Sequence, residues 1–102
     1  MEAKRIERAA RRMKAALDDA LLIQSQGRIV ATSFMQNIQN AGELLEYGDF
    51  QPENEQERAA LEAYAKCVAL MGAIKAASAF SPAYADAAKA VAAIEEVQCQ
   101  KA

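Results

Sequence analysis

The chain has no histidine and no tryptophan, and it has two cysteines among its 102 residues. Without histidine, one chain cannot form a Ser–His or Cys–His nucleophile or a zinc site with histidine ligands. Cys67 and Cys99 are too few for a zinc site built from cysteine alone. A phosphate-binding Walker loop and a GxGxxG dinucleotide motif are also missing. The sequence therefore predicts a protein that is not an enzyme, with no catalytic residue, no cofactor and no metal site.

The chain also lacks a long apolar segment. No run approaches the roughly 18 consecutive apolar residues of a membrane-spanning helix, so we expect no membrane partner. Asp18 and Asp19 interrupt the N-terminal region too early for a secretory signal peptide. Two isolated cysteines are typical of free thiols in a reducing compartment, and a single Cys67–Cys99 disulfide is the alternative. These features predict a cytoplasmic protein.

Bulky side chains are scarce. Aromatic residues make up 6% of the chain, and alanine supplies much of its 53% apolar fraction. A core rich in alanine buries little area per residue, so stability has to come from close helix contact or from a partner chain. The length suits one domain. We therefore expect a single helical domain over residues 1–102.

Four stretches carry apolar residues at the three- and four-residue spacing of a helix. Together they predict an all-α fold, a compact bundle of four helices. The predicted helices span about 2–24, 29–47, 52–80 and 82–98. The alternative is an α+β fold with a short hairpin at 20–32, because two short apolar runs there flank a glycine-containing turn. No other stretch supplies strands that could pair with such a hairpin, which favours the bundle.

The predicted helix ends rest on glycine and proline. Gly27 and Gly48 are interpreted as the residues that end the first and second helices. Pro52 suits the first turn of the third helix, and Ser81-Pro82 suits an N-cap followed by the first residue of the fourth. Glutamates crowd the start of the third helix, where the helix dipole favours them.

The third predicted helix carries two stripes. Leu61, Tyr64, Val68 and Met71, with Leu70 and Ile74 close beside them, form an apolar stripe that is expected to contact another helix. A second stripe consists of small residues, which would allow another helix to approach closely: Ala65, Ala69, Gly72, Ala73 and Ala76. A helix of this length would also outreach its shorter neighbours. Both features predict a homo-oligomer, most simply a homodimer.

Charge is unevenly distributed, although the net charge is −2. Residues 1–14 contain six basic and two acidic residues, whereas residues 43–62 contain seven acidic residues and one basic residue. Most of the N-terminal cations share one face of the first helix, and the predicted partner-binding residues are Lys4, Arg5, Arg8, Arg11 and Arg12. Basic residues at a helix start oppose the helix dipole, and such a local conflict can mark function. The competing interpretation is a solvated face, or one neutralised by the acidic segment.

The basic face leads to two functional hypotheses. The favoured one is a small protein–protein interaction module, an adaptor, assembly factor or inhibitor, whose protein partner has an acidic surface. The alternative is a nucleic-acid-binding module that uses the basic N-terminal helix. Aromatic residues that could stack on bases are not interleaved with these cations, which weakens the alternative.

The second helix has a polar face with few charges. Amide and hydroxyl side chains make up most of it: Thr32, Ser33, Gln36, Asn37, Gln39 and Asn40. Lysine and glutamate are stronger helix formers than these residues, so such a face is unusual for a surface that only meets water. We interpret it as a tolerated polar face, with a polar contact surface as the alternative.

Overall fold

The computed structural model describes residues 2–26, 28–48, 51–74 and 77–101. It contains helices α1 (Ala3–Gln26), α2 (Arg28–Leu44), α3 (Glu55–Ala73) and α4 (Ala77–Lys101). The described residues include no strand. The predicted all-α bundle of four helices is therefore confirmed. The alternative hairpin at 20–32 is wrong, because residues 20–26 and 28–32 are helical; Gly27 lies outside the described residues.

The four helices form two hairpins. Helix α1 packs along α2, and α3 packs along α4. Helix α1 also contacts both α3 and α4, so it joins the two hairpins. The bundle measures 38 × 22 × 21 Å. In the described parts of the chain, no helix is both long enough and apolar enough to span a bilayer.

The buried apolar residues of α1, α2 and α4 recur at the three- and four-residue spacing from which these helices were predicted. In α1 the buried set includes Ile6, Met13 and Leu17. Phe34 and Ile38 supply bulk from α2, and Val91 and Ile94 from α4 are also buried. These side chains join one apolar cluster. The periodicity of the sequence thus located the inner face of three helices.

The inner face of α3 differs from the prediction. Its buried apolar residues are Ala60, Ala63, Cys67 and Leu70. Val68 is 42% exposed, and the other members of the predicted stripe, Leu61, Tyr64 and Met71, are half-buried at the flanks. The reason is steric: small residues on the inner face let α3 come close to its neighbours, and the larger ones then pack beside the contact.

The predicted boundary between the third and fourth helices is also wrong. Helix α3 ends at Ala73, and α4 already begins at Ala77, so Ser81-Pro82 lies inside α4. This start places Phe80 in the core at 4% exposure and stacks its ring on Tyr84, with the centroids 5.9 Å apart. Pro82 is exposed and is the sixth residue of α4, so it removes one internal hydrogen bond of the helix. Burial of Phe80 therefore outweighs the proline signal.

The start of α3 lies three residues beyond the predicted one. Asn54 is the N-cap: its side-chain Oδ1 accepts a hydrogen bond from the Glu57 backbone N–H at 2.9 Å. Its Nδ2 donates to Glu57 Oε2 at 2.9 Å, and this reciprocal pair resembles a capping box. Pro52 therefore precedes the helix. The predicted stabilising position of the acidic residues is confirmed for Glu55 and Glu57, which lie in the first turn.

Glu46, and not Gly48, is the left-handed residue that terminates α2. Its φ is 50°, while the helix itself ends at Leu44. The Tyr47 N–H donates to the Gly42 carbonyl at 3.0 Å, and the Glu46 N–H donates to the Glu43 carbonyl at 3.1 Å. These are the two hydrogen bonds of a Schellman motif. Gly48, at φ 95°, extends the turn.

The predicted small-residue stripe of α3 is mostly exposed among the described residues, and its member Ala73 is half-buried. Ala65, Ala69 and Gly72 are exposed, and a Cβ added at Gly72 would meet no atom within 4 Å. Ala76 lies outside the described residues. The close approach occurs instead at Gly42 of α2, where a Cβ would lie 2.6 Å from Tyr64 Oη. Helix α3 is also 19 residues long and does not outreach its neighbours, which removes one argument for a dimer.

Candidate functional site: an arginine groove between α1 and α2

The predicted basic residues lie in the first half of α1. Lys4, Arg8, Arg11 and Arg12 are exposed, and Arg5 is half-buried. Helix α1 begins at Ala3, so Lys4 and Arg5 alone among them lie in its first turn. Because the dipole acts over about one turn, the predicted conflict with the dipole applies to those two residues and not to the other three.

Four of the five predicted residues line one groove of about 610 Å³ between α1 and α2. The α1 wall is formed by Arg5, Arg8, Arg11, Arg12 and Ala15. The α2 wall is formed by Asn40, Glu43 and Leu44. Lys4 does not line this groove. The structure thus gathers the arginines at one seam of the first hairpin.

The arginines differ in their ion pairing. A guanidinium nitrogen of Arg5 lies 3.2 Å from Glu46 Oε1, across the end of the hairpin. The acidic segment therefore neutralises part of the basic face, as the competing interpretation expected. Within the described part of the chain, Arg8, Arg11 and Arg12 form no ion pair. Three like charges so close on one helix face repel each other, which favours an external anion.

A second polar groove, of about 560 Å³, continues the first along the seam. Its walls carry much of the amide-rich face of α2: Thr32, Ser33, Gln36, Asn37 and Asn40. Arg12 and Asn40 line both grooves. The basic face and the amide face are therefore two halves of one continuous groove.

Asp19 of α1 supports the amide half. Its carboxylate accepts hydrogen bonds from Ser33 Oγ at 2.7 Å and from Asn37 Nδ2 at 3.1 Å. Ser33 and Asn37 are thus occupied by contacts inside the hairpin. Thr32 and Gln36 are exposed, and Asn40 is half-buried. Among the described residues, the Gln36 and Asn40 side chains have no hydrogen-bond partner, so their amides are free to bind a ligand.

The spacing of residues identified the basic face of α1 and the amide face of α2, but it was not used to predict that the two faces lie side by side. The sequence contains a signal for this arrangement. If the chain reverses near Gly27, Arg12 falls opposite Asn40 and Arg5 falls opposite Glu46. The observed contacts follow this register, since Arg5 pairs with Glu46 and Ser33 donates to Asp19. The position of the reversal between α1 and α2 was therefore enough to predict which residues of the two faces lie opposite each other.

The chemistry of the groove is that of anion binding. Planar guanidinium groups donate paired hydrogen bonds to carboxylates and phosphates. Among the described residues, no group of three or more Cys, Asp and Glu side chains is placed to hold a metal ion. Cys67 is far from reactive: it is a free, fully buried thiol, and burial raises its pKa to about 12. Cys67 is thus a packed small hydrophobe, and the prediction of a free thiol is confirmed for it.

Comparison with protein-family models, with curated proteins and with solved structures gave no match.

Proposed function

We propose that this protein is a small, non-catalytic interaction module that occupies an acidic surface of a partner protein. It would act as an adaptor, an assembly factor or an inhibitor, and it would do so in the cytoplasm. The observation that carries the proposal is the arginine groove, in which Arg8, Arg11 and Arg12 are exposed and form no ion pair with a described residue. Carboxylates of the partner would lie against these three guanidinium groups.

The size of the basic patch favours a compact acidic surface over a nucleic acid. From Arg5 to Arg12 the helix rises about 10 Å, at about 1.5 Å per residue. That length faces only a few carboxylates or phosphates. Nucleic-acid binding by charge alone uses many phosphate contacts, so a short patch on a chain of net charge −2 provides little of that affinity.

The test is a charge reversal at the groove. We expect the triple variant Arg8→Glu, Arg11→Glu, Arg12→Glu to lose binding of fluorescein-labelled tetraglutamate, measured by fluorescence anisotropy at low salt. Reversing each cation replaces an attraction by a repulsion, so the affinity should fall by more than about tenfold. Circular dichroism should show unchanged helix content, because these side chains are exposed.

The matched control reverses three exposed cations of the other hairpin: Arg58→Glu, Lys66→Glu and Lys89→Glu. The net charge changes by the same amount, but the groove between α1 and α2 is untouched. We expect this control to keep most of the affinity for tetraglutamate. Equal losses in the two variants would show that net charge alone attracts the peptide, and the proposed site would then be wrong.

The nucleic-acid alternative is tested with duplex and single-stranded oligonucleotides in a mobility-shift assay at two salt concentrations. Binding through phosphates weakens steeply as salt rises. An oligonucleotide that binds more tightly than tetraglutamate, with a steep salt dependence, would reverse the order of the two hypotheses.

Self-association through α3 is a separate part of the proposal. The exposed residues Ala65, Val68, Ala69 and Gly72 lie on one face of α3, next to an apolar groove of about 630 Å³. We expect light scattering to give about twice the chain mass of 11.0 kDa. Gly72→Leu should restore the single-chain mass without destabilising the fold, because a Cβ added there meets no atom of its own chain within 4 Å. A wild-type mass of 11.0 kDa at micromolar concentration would contradict the dimer.

A further inference from the structure

We propose that the groove between α1 and α2 holds an extended polypeptide segment with an acidic end. The carboxylates of this segment would lie against Arg8, Arg11 and Arg12. Its backbone would continue along the amide half and pair with Gln36 and Asn40. This inference rests on the proposed function and adds to it the conformation and the polarity of the bound segment.

The first argument is chemical. The amide of an asparagine or glutamine side chain offers a donor and an acceptor, as a peptide group does. In an extended segment the peptide groups are unpaired and can bond to such amides. In a helical segment they are already paired within the helix. Gln36 and Asn40 line the groove and have no partner among the described residues, so they suit an extended backbone.

The second argument is spacing. Thr32, Gln36 and Asn40 follow each other at intervals of four residues, which is about 6 Å along a helix. An extended chain repeats every two residues, at about 6.6 Å. The row on α2 can therefore meet every second peptide group of a segment that runs parallel to it. From Thr32 to Leu44 the groove wall is about 18 Å long, enough for about five extended residues.

The third argument is charge. The arginine half attracts carboxylates, whereas two residues that line the amide half, Ser33 and Asn37, already donate to the carboxylate of Asp19. Asp18, exposed on the same helix, adds negative charge nearby. A nucleic-acid strand along the whole groove would place phosphates over this negative region. A polypeptide that is acidic at one end and neutral at the other matches both halves.

The test compares three kinds of peptide by fluorescence anisotropy on the full chain. They are tetraglutamate, tetraglutamate with a neutral serine–threonine tail at one end or the other, and the same two tailed peptides with an N-methylated tail. We expect the tail at one end to raise the affinity about fivefold to tenfold, since each added hydrogen bond contributes up to about tenfold. N-methylation should remove this gain, because it removes the backbone donors.

Matched variants assign the gain to the amide row. Gln36→Ala should remove most of the effect of the tail and leave the affinity for tetraglutamate unchanged, because Gln36 lines the amide half and not the arginine half. Gln39→Ala removes an exposed amide from the same helix but outside the groove, and it should change neither. The triple arginine variant should lose both the acidic peptide and the tailed peptides.

The outcomes separate the two proposals. If tetraglutamate binds but neither tail adds affinity, the extended-segment inference is wrong and the proposed function survives. If tetraglutamate does not bind to the wild-type protein at low salt, both are overturned. If a single-stranded oligonucleotide binds more tightly than every peptide and its affinity grows with length along the groove, the occupant is a nucleic acid and not a polypeptide.

Discussion

The inner faces of α2 and α3 differ in the size of their side chains. In α2 the buried set includes the large residues Phe34 and Ile38. In α3 the inner face is mostly small, with Ala60, Ala63 and Cys67 fully buried beside Leu70. One apolar core therefore contains a helix that packs through bulky side chains and a helix that packs mainly through small ones.

The surfaces of the hairpins differ as well. Between α3 and α4, a groove of about 290 Å³ is lined by charges of both signs: Glu62, Lys66, Asp86 and Lys89. Between α1 and α2, the arginine groove contains one acidic lining residue, Glu43, against four arginines. The groove of the second hairpin balances its charges, while the arginine groove of the first is net positive. This difference is why the proposed partner site lies on α1 and α2.

The largest expected effect is loss of bulk from the first hairpin. Phe34→Ala should lower the free energy of unfolding by about 3–5 kcal/mol, because it removes a ring that is 1% exposed and leaves a cavity. Its neighbour Met35 is 55% exposed, so Met35→Ala should cost less than about 0.5 kcal/mol. Urea denaturation followed by circular dichroism measures both. Similar losses in the two variants would contradict the assigned inner face of α2.

The second hairpin should be sensitive to added volume. Ala63 is fully buried, so Ala63→Leu should destabilise the fold by about 1–3 kcal/mol through overpacking. Ala65 is exposed on the same helix and provides the matched control. In the monomeric state, Ala65→Leu should leave the urea midpoint nearly unchanged. If Ala63→Leu is tolerated, the packing of α3 does not depend on small side chains. The contrast between the bulky inner face of α2 and the small inner face of α3 would then be wrong.

Raising the pH should lower the stability of the fold, because the buried Cys67 thiol then tends to ionise. Burial raises the thiol pKa from 9.0 to about 12, so the folded protein favours the neutral thiol. This contribution to stability is complete below about pH 9 and is lost as pH rises toward about 12. By about pH 10 we expect a loss of roughly 1 kcal/mol, measured as a change in urea midpoint. Between about pH 9 and about pH 10, the Cys67→Ala variant should lose less stability than the wild-type protein. An equal loss in the two proteins would assign the effect to other groups.

The smallest expected effect concerns the end of the first hairpin. Glu46 has a left-handed backbone, which costs a residue with a side chain about 1 kcal/mol, so Glu46→Gly should relieve strain. The change also removes the ion pair with Arg5, but an exposed pair of this kind contributes at most about 1 kcal/mol. We expect a stability within about 1 kcal/mol of wild type and a higher affinity for tetraglutamate, because Arg5 is released. A lower affinity would mean that the ion pair positions Arg5 for binding.

The candidate site shows how far a sequence can be interpreted alone. The basic face followed directly from the spacing of the arginines on one helix. The predicted conflict with the helix dipole applies to Lys4 and Arg5 only, because the dipole acts close to the start of the helix. The amide face was recognised but interpreted as a tolerated surface, because on one helix it has no neighbour. Its meaning changed when Asn40 proved to share a groove with Arg12.

By itself, the sequence determined the helical fold, the inner faces of α1, α2 and α4, and the basic face of α1. Each of these is a local property, set by the periodicity of side chains along one helix. Tertiary structure decided what depends on contacts between helices. Burial of Phe80 placed the start of α4 at Ala77, before the predicted start at Pro82. Close packing placed the small residues Ala60 and Ala63 on the inner face of α3. Only the pairing of α1 with α2 joined arginines and amides into one groove, because residues far apart in the chain meet there through the antiparallel register.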